Sequence, residues 1–229
     1  NQIHYAQMIE NMVQRIKPIL YKENVNGVLV YGDTNSTLAG SIAAKQIDIP
    51  LFHVEAGLRS NDSSMYEENN RIITDHLSDL LFCPNKNAVN NLAGENLTEG
   101  VFFSGDIMLD AYIKFSSFKK SLNQIPINSE FVLATIHRRE NLFSKERLSS
   151  IFNNLNKINR EKKIIFPLHP HTKKMMKEFK IKSDINFIEP LGYLSMLSLL
   201  KNSIMVITDS GGLQKESFFA SKKCLVVRK

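Results

Sequence analysis

The sequence predicts an α/β protein of two units, each built on a parallel sheet with helices on both faces. Three observations predict it. Short apolar runs rich in β-branched residues recur along the chain, each of strand length. Between them lie segments whose apolar residues repeat at helical spacing. The alternation lapses once, over roughly residues 115–130 (FSSFKKSLNQIPINSE), and then restarts. This places a first unit at 1–118, a linker at 119–130 and a second unit at 131–229. A chain of 229 residues, 43% hydrophobic and 23% charged, has material for ample core.

Residues 2–23 open with Ile3, Met8, Ile9, Met12, Val13, Ile16, Ile19 and Leu20, an amphipathic helix. Gly27–Tyr31 (GVLVY) reads as a buried strand, and Gly32-Asp33-Thr34 leads into a helix over Leu38–Lys45. Thr34 or Asn35 is the expected N-cap. Strand Pro50–Val54 runs into the charged stretch His53–Arg71 (HVEAGLRSNDSSMYEENNR), and a helix starts near Glu67. Leu80–Cys83 is a strand halted by Pro84; a helix near Lys86–Ala93, strand Val101–Phe103 and helix Ile107–Ile113 follow. The second unit reads as strand Phe131–Thr135, helix Lys145–Ile158, strand Lys163–Pro167, helix Thr172–Phe179 and strand Asn186–Ile188. Helix Tyr193–Leu200, strand Ile204–Thr208, helix Leu213–Ala220 and strand Cys224–Val227 complete it.

Composition narrows the function classes. The net charge is +6, yet the densest basic run, Lys173–Lys182 (KKMMKEFKIK), has the spacing of a helix's wet face, and no nucleic-acid partner is expected. Two cysteines, Cys83 and Cys224, argue against a disulfide framework and for a reduced, cytoplasmic setting. No stretch reads as a secretory leader or a membrane span, so no membrane partner is expected. The chain starts inside a helix and stops just after a strand. It is therefore expected to be a fragment lacking its first strands and its C-terminal helices.

Polar groups cluster where strands end. In open α/β sheets that edge is where ligands bind. Thr208-Asp209-Ser210-Gly211-Gly212 follows a strand and opens a helix. It is either an anion site made of free amides and the Ser210 hydroxyl, or an ordinary N-cap. Glu216, one turn on, is a ribose acceptor or a surface glutamate. His137, in Ile136-His137-Arg138-Arg139-Glu140-Asn141, suits a diphosphate if protonated, beside two guanidinium groups. A loop of surface salt bridges is the competing account. His169 and His171 lack accompanying cysteines or clustered acids, and no metal site is expected. Asp33, Glu55 and Asp106 each follow a strand. Converging like charges would raise the pKa of at least one acid and make it a proton carrier. Asp106 reads better as a helix cap.

Taken together, six motifs resemble the non-hydrolysing UDP-N-acetylglucosamine 2-epimerases. They are Gly32-Asp33-Thr34, His53-Val54-Glu55-Ala56-Gly57-Leu58-Arg59, Glu67-Glu68 with Asn70-Arg71, Gly105-Asp106, His137-Arg138-Arg139-Glu140-Asn141, and Thr208–Gln214 with Glu216. They fall in the family's order across nearly the whole chain. The resemblance implies two Rossmann-like domains in a GT-B-type arrangement, with a nucleotide sugar in the interdomain cleft. It implies interconversion of UDP-GlcNAc and UDP-ManNAc through 2-acetamidoglucal, with no cofactor or metal, by a homodimer. By the same resemblance Asp33, Glu55 and Glu67 match the catalytic carboxylates, and His137 matches a histidine contacting UDP with Arg138 beside it. Ser210, Gly211 and Gly212 match the diphosphate turn, Glu216 the ribose acid, and Met196 the place of an aromatic that packs on uracil in some relatives.

The sequence departs from the family in places. Tyr66 stands where proline is common, and Asn69 where a small apolar residue is usual. The family's basic phosphate loop would precede residue 1 and a further arginine segment would follow Lys229, so the fragment alone is expected to be inactive. Alternatives within the resemblance are a 2-epimerase of a UDP-diacetamido sugar or its uronate, and a GT-B glycosyltransferase. Outside catalysis, the alternative is a silent UDP-sugar-binding module.

Overall fold

The computed structural model describes residues 2–118 and 130–228. Residues 119–129, where the linker was expected, lie outside the described part. The chain divides into two compact units, Asn1–Ile107 and Met108–Lys229.

In the first unit α1 (Gln2–Lys22), β1 (Val28–Tyr31), α2 (Asn35–Gln46), β2 (Leu51–Val54), α3 (Tyr66–Leu77), β3 (Leu80–Cys83), α4 (Lys86–Gly94) and β4 (Val101–Phe103) alternate. The sheet is parallel, in the order β1-β2-β3-β4. Thr34 caps α2, its side chain accepting from the Thr37 amide. That strand order decides where the helices go. Crossovers between parallel strands are right-handed, so repeated steps in one direction bring every connecting helix to the same face. Val30, His53, Leu81 and Val101 share a register row on that face. Under it, Ala44 and Leu77 pack on Val30 and Leu51, while Ala88 and Leu92 pack on Leu81 and Cys83. α1 covers α2 through Ile9, Val13, Leu38 and Ala43. On the other face Leu29 is 47% and Tyr31 56% exposed. The expectation of helices on both faces thus fails here among the described residues, and the unbroken strand order is the reason.

The second unit opens with α5 (Ile107–Ser116), whose Tyr112 and Phe115 pack on its core. There follow β5 (Phe131–Thr135), α6 (Arg139–Leu142), α7 (Lys145–Glu161), β6 (Lys163–Pro167), α8 (Pro170–Glu178), β7 (Asn186–Ile188), α9 (Tyr193–Asn202), β8 (Met205–Thr208), α10 (Gly211–Phe219) and β9 (Lys223–Val226). The parallel sheet runs β7-β6-β5-β8-β9. The chain steps outward from β5 to β7, returns to β8 beside β5, and steps outward the other way. The same handedness rule then puts α7 and α8 on one face and α9 and α10 on the other. Two separate core clusters agree: Phe152 and Met175 pack with Val132 and Ala134, whereas Leu197 and Leu213 pack with Phe131 and Leu133. Here the two-faced expectation holds. The reversal between β5 and β8 leaves a crevice at their C-terminal ends, the place where such sheets bind ligands. No helix among the described residues is long and apolar enough to cross a membrane.

Candidate functional site

At the rim of the first sheet, Asp33 follows β1 and Glu55 follows β2. Arg71 of α3 joins them. Its Nη2 donates to Asp33 Oδ2 at 2.6 Å and Glu55 Oε2 at 3.2 Å, and its Nη1 to the Glu55 carbonyl. The expected convergence of like charge is therefore answered by one buried guanidinium. Glu55 has φ +72°, a left-handed conformation that is uncommon for a non-glycine residue and concentrates at functional positions. Two further bonds hold the Asp33 turn. Asn70 Nδ2 donates to the Asp33 carbonyl at 2.9 Å, and His53 Nε2 donates to the Gly32 carbonyl at 2.8 Å.

His53 is wholly buried, and its Nδ1 faces Asp75 Oδ1 at 2.6 Å. Asp75 also accepts from the Gly57 amide at 3.1 Å and from Arg59 Nη1 at 2.7 Å, and Arg59 grips Glu95 through two nitrogens. Gly57 is obligatory: its φ is +76°, and a Cβ there would lie 2.4 Å from the Ala88 carbonyl oxygen. The paired glutamates part company. Glu68 is buried and folds the charged loop, accepting from the Ser60 amide and hydroxyl and the Asn61 amide at 2.8–2.9 Å. Glu67 is exposed, four residues before Arg71 and so on the same helix face as that guanidinium. Asp106 immediately precedes α5.

In the second unit the crevice between β5 and β8 is organised by Asp209. This wholly buried carboxylate accepts from the amides of His137 (3.0 Å) and Arg138 (2.9 Å) and from Asn141 Nδ2 (2.8 Å). It draws the chain after β5 into the short helix α6, which the sequence reading treats as loop. Burial lowers the His137 pKa; the Asp209 charge opposes the shift, while His169 and Arg138 add to it. The imidazole expected to be protonated is thus held toward its neutral form. Ser210 is the N-cap of α10, its hydroxyl accepting from the Leu213 amide at 3.4 Å. The first-turn amides of Gly211 and Gly212 find no carbonyl within the helix. The Arg228 guanidinium approaches within 3.2 Å of where a Cβ on Gly211 would stand. Its pKa is lowered by burial and then by the like charge of Arg138. The two accounts of this turn are therefore compatible: it is a capped helix end, and two arginines converge beside it.

A cavity of about 320 Å³ opens here, lined by His137, His169, Met196, Ser210, Gly212 and Glu216 among others. Burial raises the Glu216 pKa, and a hydrogen bond from Tyr193 works against the shift. His169 caps α8, its Nδ1 accepting from the His171 amide. Arg71 and Asp209 stand within the quoted motifs but carry no role there, and Arg228 stands outside them. A rim of acids needs a counter-charge, and that signal could have pointed to Arg71.

Fold and site together define a two-unit parallel α/β protein with an acid rim on one sheet and, at the switch point of the other, a crevice with two arginines beside its helix turn. The family model described as UDP-N-acetylglucosamine 2-epimerase matches residues 1–229. A UDP-2,3-diacetamido-2,3-dideoxy-D-glucuronate 2-epimerase of Pseudomonas aeruginosa is 42% identical over 228 residues, which cover 98% of this chain and 64% of that protein. A UDP-N-acetylglucosamine 2-epimerase homolog of Methanococcus maripaludis is 44% identical over 230 residues, covering 95% and 64%. The solved UDP-GlcNAc 2-epimerase of Methanocaldococcus jannaschii, in complex with UDP-GlcNAc and UDP, superposes with a TM-score of 0.90 at 39% identity, covering 98% of this chain and 66% of that one. The chain belongs to the UDP-N-acetylglucosamine 2-epimerase family, and it spans 64% of the length of these two curated relatives.

Proposed function

We propose that the protein interconverts UDP-N-acetylglucosamine and UDP-N-acetylmannosamine by the non-hydrolysing route. The observation that carries the proposal is the pair of rim acids, Asp33 and Glu55, held on the single guanidinium of Arg71. The hydrogen on C2 of the sugar is not beside a carbonyl, so its direct removal would be very slow. As UDP departs from C1, positive charge grows at the anomeric carbon and acidifies C2–H enough for a carboxylate to take the proton. The products of that elimination are UDP and 2-acetamidoglucal. Re-addition of UDP, with a proton returned to the other face, completes a redox-neutral inversion.

Proton traffic on two faces needs more than one group. Glu55, Asp33 and Glu67 fill that need in the proposal. The departing diphosphate would be met by His137, Arg138, Arg228, Ser210 and the first-turn amides of α10. As the diphosphate approaches, its charge favours the imidazolium form of His137. Glu216 would hold the ribose and Met196 would pack on the base. A GT-B-type arrangement of the units, domain limits at 1–118 and 131–229, a homodimer and a cytoplasmic role in supplying surface polysaccharides stay with this proposal and rest on the resemblance.

A second substrate is favoured by one observation, the similarity to the diacetamido-glucuronate enzyme. Both are tested by incubating the complete protein with UDP-GlcNAc, or with the diacetamido uronate, in heavy water. Deuterium at C2 and the corresponding epimer are expected with one of them. Tight UDP binding with neither signal for either sugar would refute the enzyme reading in favour of a silent binding module.

A further inference from the structure

α3 carries Glu67 in its first turn, yet the N-cap residue, Met65, makes no side-chain capping bond. An uncapped first turn frays readily. Something else must fix it. The ring of Tyr66 lies flat on Tyr5 of α1. Their centroids are 4.3 Å apart and their planes differ by 12°. Tyr5 is itself packed against the α1–α2 core.

The Tyr5 hydroxyl donates to Asn70 Oδ1, and Asn70 is wholly buried. The two hydrogens of the Asn70 amide go to the Asp33 carbonyl (2.9 Å) and to Asn35 Oδ1 (3.1 Å). The Asp33 carbonyl settles the amide's orientation, because the reverse would set oxygen against oxygen there. The phenol is accordingly the donor, and Asn70 is fully satisfied only while the hydroxyl is present. Tyr5 thus touches the two places that must keep register for two-face proton transfer. Its ring holds the turn bearing Glu67, and its hydroxyl, through Asn70, holds the turn bearing Asp33.

We propose that Tyr5 is a positioning residue for this reaction, setting the relative placement of Asp33 and Glu67 from outside the sheet. The activity part rests on the epimerase reading. Tyr5→Phe keeps the stack and removes the hydroxyl; Tyr5→Leu removes both. In the complete protein Tyr5→Phe should lower kcat about tenfold, leave KM for UDP-GlcNAc within about twofold and barely change the melting temperature. Tyr5→Leu should lower kcat further. On an Asn70→Ala background, Tyr5→Phe should have no additional effect.

Amide hydrogen exchange over residues 33–37 supplies a readout free of turnover and should quicken several-fold in Tyr5→Phe. Wild-type kcat with unchanged exchange in Tyr5→Phe would overturn the proposal. So would a kcat loss that merely tracks a lost melting temperature. If the wild-type protein itself shows no C2 exchange, the epimerase reading falls, and amide exchange still decides whether Tyr5 fixes the Asp33 turn.

Discussion

Replacing Asp209 with asparagine gives the sharpest test of how the second unit is built. The carboxylate is wholly buried, so solvent screens none of its interactions. Its oxygens accept from the His137 amide at 3.0 Å, the Arg138 amide at 2.9 Å and Asn141 Nδ2 at 2.8 Å. An asparagine keeps one oxygen. With that oxygen in the Oδ2 place it still accepts from the Arg138 amide, from Asn141 and from the His137 amide, while the NH2 takes the Oδ1 place and sets a donor 3.0 Å from the same His137 amide. Three bonds lose their charge assistance, at about 1 kcal/mol each, and the donor-to-donor contact adds about 1 kcal/mol. The loss is about 4 kcal/mol, which for a chain of this size lowers the melting temperature by roughly 8–16 °C. The transition affected should be that of the second unit, and calorimetry separates it if the units unfold independently. Because the displaced loop carries His137 and Arg138, UDP affinity by titration calorimetry should fall at least about tenfold. A variant melting within about 2 °C of wild type, with unchanged UDP affinity, would refute the reasoning.

Three further outcomes are expected. Glu55→Gln should slow turnover about a hundredfold or more while UDP affinity stays within about twofold, measured by C2 deuterium exchange and calorimetry. Gly57→Ala puts a Cβ 2.4 Å from the Ala88 carbonyl at φ +76° and should cost about 3 kcal/mol, seen as a melting temperature lower by roughly 6–12 °C. His137 is held below its unfolded value of about 6.5, so its contribution to stability is full above that pH and is lost as pH falls below it through the lower folded value. In the proposed site UDP would raise the same pKa, so UDP affinity should weaken as pH climbs from about 6 to about 8, and His137→Gln should flatten both trends.

Strand positions were legible because they are short apolar runs, most with a β-branched residue: Leu80–Cys83, Val101–Phe103, Phe131–Thr135, Lys163–Pro167 and Asn186–Ile188 run as the pattern predicts. The helices were legible to within a turn. What local pattern cannot carry is strand order, and strand order alone decides that α2, α3 and α4 share one face while α7 and α9 oppose each other. α6 has four residues and no apolar period to reveal it; it exists because Asp209, 68 residues further on, binds Asn141. Arg71 and Asp33 are 38 residues apart, and nothing local to either announces the pair. The candidate acids themselves were legible by their place at strand ends. Their division of labour was not, and Glu68 shows why, since its partners are backbone amides that have no sequence signature.

Burial sorts the acids by job. Asp75 and Asp209 have no exposed side-chain surface, and each gathers three donors from a strand end and the segment that follows it. A buried carboxylate is tolerable only when fully bonded, and once fully bonded it fixes the donors' backbone rigidly. Loops have little packing of their own, so this is how both rims acquire a definite shape. Asp33 and Glu55 keep 33% and 25% of their side-chain surface. That is enough contact with Arg71 to be oriented and enough opening to meet the sugar of the proposed reaction. An acid that carries a proton to a ligand must be reachable, and an acid that holds a loop must not be. The two kinds stand side by side here, with His53 bonded to Asp75 on one nitrogen and to the carbonyl before Asp33 on the other. Through that single buried ring the structural acid sets the position of one proposed to react.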